Sequence, residues 1–151
     1  MSKVEKPHVL VVDDNPETCV LLTAILQRDF MVEVASDGQD AIEKLRVRTY
    51  SAILLDLRMP MYDGFSVLNF LEQSQPDALR SVVIVTALLN PRELERVRQY
   101  GVASIVPKPF DIDVLVAAVK QVAMPEDGLI GNICCAPIII LLANLLRQRL
   151  M

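Results

Sequence analysis

The sequence predicts an α/β fold: a doubly wound sheet of five parallel strands, followed by an apolar C-terminal helical tail. Three observations carry this expectation. Five short apolar runs recur along the chain, and each is followed by a stretch with helical spacing. Most of these runs are apolar throughout, which marks strands covered on both faces. Carboxylates, a threonine and a lysine stand at the ends of these runs, where such a sheet gathers its ligand-binding groups.

Taken in order, His8–Val12 (HVLVV) is the first strand. Asn15 and Pro16 read as N-cap and first helical residue of a helix reaching about Arg28. Met31–Ala35 alternates like a strand, Asp37-Gly38 marks a turn, and residues 39–47 are helical with Ala41, Ile42 and Leu45 on one face. Residues 51–55 (SAILL) form a buried strand ending at Asp56. Residues 64–73 are helical, and residues 75–77 form a loop around Pro76. Residues 81–85 (SVVIV) form a strand followed by Thr86; Asn90-Pro91 opens a charged helix reaching about Tyr100. Residues 103–106 are a short strand, and Asp111 caps a helix to about Ala123.

Bulk properties narrow the function classes. A net charge of −4 with mixed signs argues against a nucleic-acid partner, which would select a basic patch. Cys19, Cys134 and Cys135 form neither a disulfide framework nor a zinc pattern. The polar start of the chain has no leader-like apolar segment, so a cytoplasmic location is expected.

Parallel strand polarity places Asp13, Asp14, Asp56, Thr86 and Lys108 along one edge of the sheet. Three carboxylates in one crevice repel each other, and a hard, oxygen-ligated cation such as Mg²⁺ offsets that repulsion. Lys108 adds a fixed positive charge and Thr86 a hydroxyl donor. A carboxylate can also act as a nucleophile toward phosphorus, with positioning and charge neutralisation supplying most of the catalysis.

The stretches VLVVDDN (9–15), ILLDLRMPMYDG (53–64), VIVTA (83–87) and PKPF (107–110) occur in this order. With them the chain resembles the receiver domains of two-component signalling, over about residues 3–124. The resemblance implies a flavodoxin-like, chemotaxis-regulator-like fold and a phosphorylation-dependent switch. It implies that Asp56 accepts a phosphoryl group from a partner histidine kinase or phosphotransfer protein in a Mg²⁺-dependent reaction. It implies that Asp13, Asp14, Asp56 and the backbone carbonyl of Arg58 hold the metal, and that Thr86 and Lys108 meet the phosphate oxygens. A cis peptide before Pro109 is implied as well. The only chemistry expected is the chain's own phosphoryl acceptance and slow self-dephosphorylation, with Arg58 and Leu88 flanking the path of the attacking water.

Bland readings apply to single residues. Alone, Asp14 is a helix-cap residue, Asp63-Gly64 a turn and Lys108 a surface lysine. His8 reads as a strand-edge side chain, Cys19 as helix packing, and Tyr50, Tyr62 and Tyr100 as packing or surface residues. An unphosphorylated receiver-like interaction module is the alternative function, but such modules usually lack part of the acidic set present here. An Asp-nucleophile phosphatase would need an acid two residues after Asp56, where Arg58 stands. Ile105 occupies a position that is aromatic in many receivers, so signal transmission is expected to differ from the aromatic form.

Residues 125–151 read as a linker and an apolar tail, with no output domain following. A helix from Pro137 to the end would be about 22 Å long, short of a ~30 Å hydrocarbon core. Its apolar surface requires a cover, and packing against protein, including a homodimer, is favoured over membrane contact. The output partner is not identifiable from the sequence.

Overall fold

A computed structural model describes residues 4–87 and 89–125 of the chain. Five strands, β1 (His8–Val12), β2 (Met31–Ala35), β3 (Ala52–Leu55), β4 (Val82–Thr86) and β5 (Ser104–Pro107), form one sheet in the order β2-β1-β3-β4-β5. All neighbouring pairs are parallel. The helices are α1 (Pro16–Leu26), α2 (Gly38–Val47), α3 (Gly64–Ser74), α4 (Pro91–Gln99) and α5 (Ile112–Ala123). This is the expected doubly wound sheet. The expected tail helix and Leu88 lie outside the described residues.

Strand alternation divides the core between two layers. Leu10, Val12, Ile53, Leu55 and Ile84 pack with α2, α3 and α4 through Leu45, Leu68 and Val97. Val9, Val11, Leu54, Val83 and Val85 pack with α1 and α5 through Leu22, Leu26, Leu115 and Val119. With both faces covered, no polar residue is tolerated within β3 or β1 beyond His8, which explains the unbroken apolar runs.

Local capping sets the helix starts. Asn15 accepts from the N–H groups of Glu17 and Thr18, and Pro16 costs no hydrogen bond at the first position. Asp37 and Asp63 also cap helices, so the expected turns at 37–38 and 63–64 are helix starts. Several other boundaries shift by a residue or two, β3, β4 and β5 among them. Helix α1 ends at Leu26, two residues early, with Gln27 as its C-cap. The loop after α3 is a 3₁₀ helix, Pro76–Ser81, anchored by buried Leu79, so β4 starts at Val82.

Candidate functional site

The chain leaves β1 for β2 on one side and continues through β3 on the other, so the sheet order reverses between β1 and β3. Beyond the carboxyl ends of these two strands the helices diverge and a crevice opens. Asp13 follows β1 and Asp56 follows β3, facing each other across that crevice. Asp56 N–H donates to Val12 O at 2.9 Å and Asp13 N–H to Ala35 O at 3.1 Å, so both backbones extend the ladder into the site.

Carboxylate oxygens of Asp13, Asp14 and Asp56 all lie within 4.8 Å of one another. Asp13 and Asp56 are buried and Asp14 is exposed. Lys108 Nζ donates to Asp13 Oδ2 at 2.6 Å and to Asp56 Oδ2 at 3.2 Å. Thr86 Oγ1 donates to Asp56 Oδ1 at 2.9 Å, and the same oxygen accepts the Arg58 N–H at 3.0 Å. Asn15 N–H donates to Asp13 Oδ1 at 2.9 Å. The Lys108–Pro109 peptide is cis, as expected. Lys108 N–H donates to Thr86 O at 2.7 Å, tying the ends of β4 and β5 together beside the crevice.

Burial alone would lower the pKa of Lys108. The hydrogen bond to Asp13 and the charges of Asp56 and Asp13 outweigh it and hold the value above the ordinary 10.5. The ammonium is therefore a fixed positive charge at neutral pH. One lysine against three carboxylates leaves the pocket net negative. Its oxygen-only donor set fits a small hard cation such as Mg²⁺, and the exposure of Asp14 leaves one side open to water.

The structure thus brings together Asp13, Asp14, Asp56, Thr86 and Lys108, and puts the Arg58 main chain in contact with Asp56. It adds groups that the sequence does not mark. Cys19 Sγ donates to the Asp13 carbonyl at 3.2 Å, below the site. Burial, then the charge of Asp13, pushes this thiol's pKa up. Gly64 is the first residue of α3, as the helical reading of residues 64–73 expects, but its packing is new: a Cβ there would lie 2.4 Å from Asp56 O. Arg58 Nη2 donates to Glu93 Oε2 at 3.1 Å. The Asn90–Pro91–x–Glu93 spacing is a capping-box signature and was the available signal for Glu93.

Away from the crevice, Tyr50 is buried and donates to Glu33 Oε2 at 2.5 Å, while Tyr100 OH donates to Asn69 Oδ1. His8 is the first residue of β1, and its Nδ1 lies 2.6 Å from Arg48 Nη1. Among the described residues, no helix is long and apolar enough to cross a membrane.

Comparison with known proteins gives one consistent picture. The family model described as response regulator receiver domain matches residues 9–120. The chain is 34% identical over 114 residues to hybrid signal transduction histidine kinase D of Dictyostelium discoideum, a match spanning 76% of this chain and 7% of that protein. It superimposes on the receiver domain of Francisella response regulator 1452 with a TM-score of 0.69 and 28% identity, covering 78% of this chain and 97% of that one. It is equally similar, at TM-score 0.69 and 26% identity, to the receiver domain of a sensor histidine kinase from Pseudomonas aeruginosa PAO1. That domain was solved with a magnesium ion coordinated in its active-site cleft, and the match covers 78% of this chain and 98% of that one. The chain spans less than two thirds of the length of the curated relatives it matches.

Proposed function

The chain belongs to the response regulator receiver domain family, and on that premise we propose that it is a phosphorylation switch whose acceptor is Asp56. Residues 3–124 are taken as the receiver unit. The observation that carries the reading is Lys108 bridging Asp13 and Asp56 beside a third carboxylate, Asp14. Such an arrangement orients a nucleophilic oxygen and supplies positive charge next to it.

In the proposed reaction an Asp56 carboxylate oxygen forms a bond to phosphorus. The bond from phosphorus to the donor's leaving atom breaks, and its electron pair departs with the leaving group. Lys108 and Thr86 donate to the Asp56 oxygens, which supports the reading that they turn to the phosphoryl oxygens once these arrive. Asp13, Asp14, Asp56 and the Arg58 carbonyl are the groups that would hold Mg²⁺, which when bound neutralises negative charge gathering on the phosphoryl group. The donor is a histidine kinase or phosphotransfer protein, and the switch works in the cytoplasm. Arg58, a poor base at neutral pH, favours slow loss of the phosphoryl group.

The test is incubation with acetyl phosphate and Mg²⁺, followed by intact-mass measurement and mapping of the adduct. One phosphoryl group on Asp56, absent in Asp56→Asn and absent without Mg²⁺, is the expected result. An Asp56→Asn protein that labels as fully as wild type overturns the assignment.

A further inference from the structure

Arg58 stands two residues beyond Asp56, and its two ends meet different elements. Its backbone N–H donates to Asp56 Oδ1 at 3.0 Å. Its guanidinium donates to Glu93 Oε2 at 3.1 Å. That same Glu93 oxygen accepts the backbone N–H of Asn90 at 3.0 Å, and the Asn90 side chain accepts from Glu93 N–H at 2.9 Å. Two hydrogen bonds, joined through the covalent length of the Arg58 side chain, therefore connect the Asp56 carboxylate to Glu93 and the capping box that starts α4.

We propose that Glu93 is a positioning residue that receives the state of Asp56 through Arg58 and passes it to the first turn of α4. The inference rests on the reading of Asp56 as phosphoacceptor. Asp56 Oδ1 accepts from both Arg58 N–H and Thr86 Oγ1, so a phosphoryl group on this carboxylate changes the acceptor presented to both donors. The Arg58 main chain adjusts to the new acceptor and carries its guanidinium with it. Glu93 is the point where that movement reaches α4, because one oxygen serves both the arginine and the cap.

The Arg58–Glu93 pair suits a switch. Its side chains are 53% and 30% exposed, so the pair is weak enough to break, and the capping box still starts α4 without it. One turn further along α4, Arg96 lies over the Phe65 ring at 4.0 Å from its centroid, which keeps α4 joined to α3 when the first contact opens. Arg58 and Glu93 line one cleft together with Leu57, Met59, Phe65 and Leu89. Ile105, partly buried against the core layer that includes Val97, carries no polar group to relay a change at Thr86. The arginine route needs none.

Hydrogen exchange of the full chain, with and without beryllofluoride plus Mg²⁺ as a persistent phosphoryl mimic, tests the link in the amides of residues 90–97. Wild type should change its exchange there by roughly twofold to fivefold, the range expected for an exposed ion pair. Arg58→Ala and Glu93→Gln should lose that change, while Arg58→Lys should recover part of it. Glu93→Gln keeps an acceptor for the Asn90 N–H, so its lost response separates the link from simple loss of the cap. Mass measurement after acetyl phosphate should find the Asp56 adduct in Glu93→Gln, whose side chain touches none of the groups assigned to the metal or the phosphoryl oxygens, and a full wild-type response at 90–97 in that adduct-bearing variant also overturns the link. A full wild-type response at 90–97 in Arg58→Ala, or no response there in wild type that carries the adduct, overturns the link alone. No adduct in wild type overturns the phosphoacceptor reading and the link with it.

Discussion

Among the described glycines, Gly64→Ala should disturb the proposed acceptor Asp56 most directly. A Cβ at Gly64 would lie 2.4 Å from Asp56 O, 2.7 Å from Leu57 Cα and 2.9 Å from Leu57 Cδ2. The first two are backbone atoms and cannot rotate aside. Restoring ordinary contact requires a shift of about 1 Å between α3 and the loop that holds Asp56. The Gly64 N–H to Leu57 O hydrogen bond, 3.2 Å, resists that shift. Overpacking of this kind costs about 1–3 kcal/mol, and the better helix propensity of alanine returns at most about 1 kcal/mol. The expected net loss is about 1–2 kcal/mol, read by urea unfolding followed by circular dichroism. If Asp56 is the acceptor as proposed, a displacement of about 1 Å at its carboxylate slows transfer by up to about 100-fold, read as the rate of adduct formation with acetyl phosphate. Gly101→Ala is the control: its φ is +74° and no atom lies within 4 Å of a new Cβ. That change should cost about 1 kcal/mol through backbone strain alone and leave labelling of Asp56 unaltered. A Gly64→Ala protein as stable as wild type and labelled at the wild-type rate refutes the steric argument.

Three further outcomes follow from the same geometry. Lys108→Ala removes the ammonium held between Asp13 and Asp56 but none of the carboxylates; Mg²⁺ binding by calorimetry should persist while the exchange response to beryllofluoride weakens. Collapse of Mg²⁺ affinity in this variant contradicts the division of roles. Mg²⁺ at about 100 times its Kd should stabilise the fold by about 2.7 kcal/mol, and Asp13→Asn should lose most of that gain in thermal unfolding. Burial, then the hydrogen bond and charge of Glu33, raise the pKa of Tyr50 above the ordinary 10.0. The folded chain thus holds this proton more tightly than the unfolded chain, so the stabilisation is complete below pH 10 and is lost as pH rises above it. Tyr50→Phe should flatten that alkaline decline, and an unchanged slope counts against the assignment.

The site was legible wherever strand polarity and local chemistry coincide. Asp13 and Asp56 each stand directly after an apolar run, with Asp14 next to Asp13, so parallel pairing alone sends them to one edge. Asn15-Pro16 announces α1 because an N-cap and its first turn are built from adjacent residues. The residues that escaped notice act across long separations. The helix from Gly64 was legible but its close approach to Asp56 O was not, since contact between backbones leaves no trace in hydrophobic periodicity. Leu79 turns residues 76–81 into a 3₁₀ helix by entering the core, a choice made by the layer beneath it.

The sequence by itself determined the strand runs, their parallel arrangement and the identity of the polar groups at the strand ends. Burial on both faces demands apolar periodicity, and periodicity is written locally. The tertiary structure alone decided that Lys108 bridges Asp13 with Asp56, that Thr86 and Arg58 share one oxygen, and that Arg58 reaches Glu93. Those contacts depend on sheet order, strand register and loop height, which are set by packing across the whole domain and fix distances that no local pattern encodes.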